Sequence, residues 1–261
     1  MDWITSRPAG LLVAVGLGLA MLIAFAARAL VRAVVPVAEH EDVPRVAGPL
    51  MPAIGAVFGV LIALTLAGEA GYLKSAQDVV AGEAAAASRL AWAATSPGVR
   101  TEPIHAALVD YLAATRADEW RDAPAEEGDR RVAAELATLE RIVRAEAARS
   151  ELGTPASTEL LTSLDAVTSG RRARTAAAAR EIPVLYVVTL VVAGAALVAN
   201  AGALGVRSST RTAALVVGLA VVVGLSMALL FALGGPWRGP LVVSGEAIDA
   251  VLSDLRGGRF E

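Results

Sequence analysis

The stretch that decides the fold is Ala53–Leu90, AIGAVFGVLIALTLAGEAGYLKSAQDVVAGEAAAASRL. Its first half is apolar and carries no charge before Glu69, whereas its second half is alanine-rich and holds Lys74, Asp78, Glu83 and Arg89. Apart from Gly71, no breaker marks the junction. About 20 apolar residues cross the ~30 Å hydrocarbon core of a bilayer. The stretch therefore predicts a membrane helix that runs on into a water-exposed one.

Working outward, four apolar runs are long enough to span: Ala9 to Ala27, Pro49 to Ala67, Pro183 to Gly205 and Ala213 to Leu233. None has a charge in its interior. The first also resembles a signal peptide, with Arg7 before it and Ala24-Phe25-Ala26 as a small-residue cleavage motif. Its length, and Arg28 and Arg32 behind it as a stop-transfer flank, favour a retained span. Composition agrees: 56% of residues are hydrophobic, only 4% are aromatic, and the mean hydropathy is +0.59. The excess is alanine, valine and leucine, which suits lipid-facing and closely packed helices.

Between the span pairs, residues 72–182 show helical periodicity and no strand-like alternation. Ile104, Leu108, Tyr111 and Leu112 share one face; so do Val132, Leu136, Leu139 and Val143, and again Leu160, Leu161, Leu164 and Val167. Ser96-Pro97-Gly98, Asp122-Ala123-Pro124 and Gly153-Thr154-Pro155 are breaks. Helices are expected near 74–95, 102–120, 128–150 and 156–182, the last running into the third span. After the fourth span, Gly234, Gly235 and Pro236 stop the helix, because proline donates no backbone hydrogen bond. Ile248, Val251, Leu252 and Leu255 then make the apolar face of a short helix, set to pack on the helical insert or lie on the membrane surface.

The expected architecture is all-α: a polytopic membrane protein with four transmembrane helices and a helical cytoplasmic bundle inserted between the second and third spans. Its parts are a first transmembrane hairpin (1–71), the insert (72–182), a second hairpin (183–235), and an interfacial turn with a C-terminal amphipathic helix (236–261). Orientation follows Lys and Arg near the span ends. Arg7, Lys74, Arg89, Arg171, Arg172, Arg174, Arg180 and Arg238 fall on one side, and Arg28, Arg32, Arg45, Arg207 and Arg211 on the other. The larger set places both termini and the insert in the cytoplasm of a cell whose inner, or plasma, membrane holds the chain. Tyr186 and Trp237 suit the interfacial aromatic belt.

Several chemistries are excluded or disfavoured. The chain has no cysteine, and its two histidines, His40 and His105, lie far apart, so neither a thiolate nor a histidine metal site is expected. A net charge of −3 gives no basis for nucleic-acid binding. No catalytic constellation and no cofactor motif appears, so an enzyme is not expected. Asp118 and Glu119 are adjacent and point about 100° apart on a helix, a poor geometry for paired acid–base work.

Candidate functional residues concentrate on the second span and around the insert. Gly55 and Gly59 form Gly-x-x-x-Gly, which permits close helix approach. Phe58, Ile62, Thr65 and Glu69 fall at i, i+4, i+7 and i+11 and form one stripe. Such a stripe either packs or lines a pore with a dewetting constriction at Phe58 and Ile62. Glu69 at a mouth would favour cations. Glu83 sits among small residues, suited to tight packing with an arginine partner or to a vestibule. Arg171 and Arg174 lie one turn apart on one face and could meet lipid, attract anions or bridge to Glu83 or Glu119. Asn200, near the outer end of the third span, is placed where water can satisfy it.

In order and spacing, these elements resemble the bestrophin-like domain family of bacterial and plant membrane proteins, from about His40 onward. The carriers are the glycine-bearing second span with Glu83-Ala84, VDYLAATRADEW with Tyr111 before Glu119-Trp120, Arg171 and Arg174 ahead of the third span, and GGPWRGPLVVSGEAIDAVLSDL. In the last, Pro236, Trp237 and Gly239 stand where the family shows a Pro-aromatic-x-Gly turn, with tryptophan replacing the usual phenylalanine. The resemblance implies kinship with bestrophins, pentameric anion channels whose second span lines the pore and whose cytosolic helices continue the conduit. The expectation is a homo-oligomeric ion channel in a lipid bilayer, with inorganic ions as its cargo. The alternative is a non-conducting scaffold or sensor whose cytoplasmic helices bind a protein partner or anionic lipid.

Overall fold

The computed structural model describes residues 9–118, 125–180, 182–207, 210–234, 237 and 241–260. Among them the chain forms eight α-helices and no strand: α1 Ala9–Val34, α2 Val43–Ala93, α3 Thr101–Asp118, α4 Ala125–Ala147, α5 Thr154–Ala178, α6 Val184–Leu204, α7 Thr210–Leu233 and α8 Glu246–Arg256. Four of them are long and apolar enough to cross a membrane: α1, α2, α6 and α7. The quoted stretch lies inside α2, a helix of 51 residues, so Gly71 does not interrupt it. At 1.5 Å per residue α2 is about 76 Å long, more than twice what a bilayer core requires.

The fourth expected insert helix does not run into the third span. α5 ends at Ala178 and α6 starts at Val184 behind Pro183, whose φ of −56° and ψ of 126° are not helical. Proline has no N–H to give, and it pushes the residue before it out of the helical region. The turn at Gly98 has φ +87°, where a side chain would be strained. Pro155 sits in the first turn of α5, where a missing N–H costs nothing. The predicted break at Asp122-Ala123-Pro124 lies outside the described residues.

The chain divides into two compact units, Met1–Tyr72 with Glu181–Leu241 and Leu73–Arg180 with Val242–Glu261. In the first, α1 packs on both α6 and α7. The close approaches are glycine-mediated. A Cβ on Gly16 would lie 2.7 Å from the Gly224 carbonyl oxygen, and one on Gly224 would lie 2.9 Å from that of Gly16. A Cβ on Gly202 would run into the Ala24 carbonyl oxygen. The Gly-x-x-x-Gly pair of α2 plays no such part: Gly55 has only a Leu197 methyl at 3.8 Å, and Gly59 has nothing within 4 Å. Asn200 is not left to water either. Its Nδ2 donates to the Ala47 carbonyl at 3.0 Å, tying α6 to the start of α2.

In the second unit, α3 packs on α4 and α8, and α4 on α5. Ile104, Leu108, Tyr111 and Leu112 are fully buried, as are Val132, Leu139 and Val143. α8 buries Ile248, Val251 and Leu252 and therefore packs on the helical unit. Arg116 clamps it, with Nε at 2.7 Å and Nη2 at 2.9 Å from the two carboxylate oxygens of Asp249. The chain end is docked too: Phe260 is buried and meets Trp92 edge-on at 5.3 Å between ring centres. His105 Nε2–H beside it donates to the Ala91 carbonyl at 3.0 Å.

The glycine contacts make a direct test. Gly202→Leu should cost about 1–3 kcal/mol or more by forcing α6 away from α1. Gly218→Ala, with nothing within 4 Å, should leave the melting temperature unchanged or raise it. Thermal unfolding of both variants in detergent, followed by helicity, measures this.

Candidate functional site

Three helices of the second unit converge on Glu83, whose side chain is fully buried on α2. α5 brings Arg174, with Nε donating to Glu83 Oε2 at 2.5 Å and Nη2 to Oε1 at 3.2 Å. α3 brings Tyr111, whose hydroxyl donates to Glu83 Oε1. The small-residue setting has a geometric reason. A Cβ on Gly170, one turn before Arg174, would lie 3.0 Å from both Cα and Cβ of Glu83. Gly170 lets α5 come close enough for the guanidinium to reach across.

Burying an ion pair removes both groups from water, and the attraction offsets that cost only with good geometry and satisfied lone pairs. Here the carboxylate accepts from a two-pronged guanidinium and a phenol. Burial, with the Glu83 charge next in importance, pushes the Tyr111 hydroxyl far above its usual range. Tyr111 therefore stays a proton donor to Glu83 and is no proton shuttle at neutral pH. The cluster joins three helices electrostatically and presents no acid–base pair to solvent.

Of the residues expected around a vestibule, Glu83 and Arg174 are brought together. Arg171 lies half-buried on α5, and Glu119 lies outside the described residues. Tyr111 was legible as one position of an apolar face and as a carrier of the family resemblance, but not as a partner of Glu83; the phenol at its tip is what places it in the cluster. A second ionic knot, also unanticipated, surrounds Glu146, whose side chain is 3% exposed. Arg100 reaches it through its backbone N–H and its Nε, both at 2.8 Å, and Arg149 through Nη1 at 2.6 Å. Burial raises the affinity of Glu146 for its proton, but these hydrogen bonds more than offset it and hold the carboxyl below its usual range.

Of the stripe expected either to pack or to line a pore, Phe58 and Ile62 pack within their own unit. Phe58 and Ile62 are 5% and 8% exposed and belong to a core with Leu190, Leu197, Val223 and Leu230. The physical reason is Gly194: its missing side chain leaves the space that the Phe58 ring fills, with Cε2 at 3.1 Å from where a Cβ would stand. Thr65 is half-buried and its hydroxyl donates back to the Leu61 carbonyl at 2.8 Å. Glu69 is 7% exposed. The opposite face of α2 holds Ala56, Gly59, Ala63 and Ala67, all exposed. In the expected turn Trp237 is half-buried, while Pro236 and Gly239 lie outside the described residues. Among the described residues, no three His, Cys, Asp or Glu side chains are grouped so as to hold a metal ion.

The Bestrophin-like domain family model matches residues 18–248. No curated protein matches the chain. Two crystal structures share its fold. One is a bacterial bestrophin homolog from Klebsiella pneumoniae, with a TM-score of 0.71 at 13% identity over 94% of this chain and 98% of that one. The other is a membrane protein with a TM-score of 0.68 at 12% identity over 95% and 98%.

The Glu83 cluster yields a graded set of effects. Tyr111→Phe should cost about 1–3 kcal/mol. Arg174→Met, which strands a buried carboxylate, should cost about 3–5 kcal/mol, and pairing it with Glu83→Met should recover much of that. Because the Tyr111 pKa is raised on folding, its contribution is fully present below the unfolded phenol value of about 10 and declines at higher pH. Tyr111→Phe should lack that alkaline component. Unfolding of each variant between neutral pH and pH above about 10 checks both points.

Proposed function

The chain belongs to the bestrophin-like family, and from that premise we propose that several copies surround a common axis and conduct ions across the membrane. The observation that carries this reading is a four-span fold matching a bacterial bestrophin homolog over nearly the whole of both chains. The spans also expose apolar side chains that a single copy leaves uncovered: only 11% of the most apolar window of α2 is buried. Lipid covers part of such a surface, and neighbouring copies cover the rest.

The lining we propose is the exposed face of α2 at Ala56, Gly59, Ala63 and Ala67, with Phe58 and Ile62 acting from behind. The buried pair fixes the rotation of α2 against α6 and α7, and thereby which face an axis would meet. A wall of alanine and glycine carries no charge, so it would pass or refuse ions by diameter and by wetting. Anion preference is what the kinship implies, and nothing on this face opposes it. The polar helical unit and both termini are proposed to lie in the cytoplasm, on the side carrying the larger set of basic residues.

A scaffold or sensor is the second reading, favoured by that same uncharged face, which has no ring of ionised side chains to select an ion. Planar-bilayer recording separates the two. The channel reading expects discrete conductance that Ala63→Phe sharply reduces and Ala63→Lys biases toward anions. Phe58→Ala should instead act on stability, by about 3–5 kcal/mol. Inserted protein silent in several salts and voltages would favour the scaffold. So would a monomer in mild detergent.

A further inference from the structure

α1 carries two arginines beyond its apolar run, and their guanidiniums are treated differently. Arg32 Nη2 donates to the Val206 carbonyl at 3.1 Å. Arg28 Nε is buried and has no hydrogen-bond partner among the described residues. A buried N–H without a partner is destabilising, and more so on a charged group.

Arg28 forms one wall of a cavity of about 40 Å³ whose other walls include Phe25, Gly202, Ala213, Val216 and Val217. A water needs roughly 10–15 Å³ of such space, so the cavity has room for more than one water, or for a group of the size of a phosphoryl or a few methylenes. Beside Arg28 the named walls are apolar. Phe25 and Val217 are 57% and 39% exposed, so the cavity opens along the flank of two spanning helices, where lipid lies. A free anion gains nothing from such walls. An amphiphile with a negative head and hydrocarbon tails matches both parts.

We infer that this cavity seats one anionic phospholipid per subunit. Its phosphodiester oxygens accept hydrogen bonds from the Arg28 guanidinium. The first methylenes of an acyl chain lie along Phe25, Val216 and Val217, and the remaining tail follows the outer surface of α1 and α7. A zwitterionic lipid offers the same phosphate but brings its own cation toward Arg28 and Arg32. Net negative charge is therefore selected.

The full chain is purified, exchanged into detergent containing either phosphatidylglycerol or phosphatidylcholine, and weighed by native mass spectrometry after a detergent wash. The wild-type protein is expected to retain one phosphatidylglycerol per subunit and to release phosphatidylcholine. Arg28→Gln should reduce that retention roughly tenfold. Ala213→Leu fills the cavity and leaves both arginines in place, and it should lose the lipid as well. Helix content and elution volume establish that each variant is folded; if Arg28→Gln is not, Ala213→Leu decides. Equal retention of the two lipids overturns the inference, as does full retention by folded Ala213→Leu. Displacement of the lipid by millimolar inorganic phosphate would mark a free-anion site and overturn it too.

Discussion

Membrane helices gain nothing from excluding water from one another, since lipid tails are as apolar as leucine. The constraint on which the first unit depends is therefore backbone proximity, set where glycines allow it. Gly16 faces Gly224, and Gly202 faces the Ala24 backbone, each so closely that a single methyl group would collide with a carbonyl. These contacts hold α1 against α6 and α7 and fix the frame into which α2 fits. The Phe58 ring then completes that frame by filling the recess at Gly194.

The second unit solves the opposite problem. Its helices have polar faces, and its core is made of leucine, valine and alanine together with two buried carboxylates, Glu83 and Glu146. Each carboxylate accepts hydrogen bonds from separate segments: Glu83 from α3 and α5, Glu146 from the turn at Arg100 and the end of α4. A purely apolar core tolerates sliding of one helix past another by a residue. A buried carboxylate with geometrically matched donors does not, because every shifted register leaves a charge unpaired. Glu83 and Arg174 thus act as register markers, and Gly170 is the steric condition under which they meet.

Legibility in the sequence follows the same division. The spans, the long α2 and the apolar faces around Leu108, Val143 and Ile248 could be read because periodicity and run length depend on local neighbours alone. The pairing of Glu83 with Arg174 could be framed only as one option among several, since they are 91 positions apart and nothing local fixes the partner. The role of Tyr111 was hidden because the ring obeys the apolar pattern while the hydroxyl does not. The glycines misled for a related reason. Gly55 and Gly59 have the familiar spacing, but close approach is a property of two surfaces, and the surfaces that meet are those of Gly16, Gly202 and Gly224.

The orientation of α2 shows how far one pattern can carry. Phe58, Ile62, Thr65 and Glu69 do share a face, as their spacing requires, and the face is real. Periodicity cannot say whether that face looks toward a neighbour in the same subunit or toward an axis shared by several. Phe58 and Ile62 go inward, where dispersion contacts with α6 and α7 reward their volume. Outside, beside the exposed Val57, Val60 and Leu64, lies a strip of alanine and glycine. A surface of that kind has two physical uses: to let backbones approach, or to bound a passage without charge. Which of these uses the strip serves depends on what meets it, and that is a property of two surfaces that the periodicity of one helix does not contain.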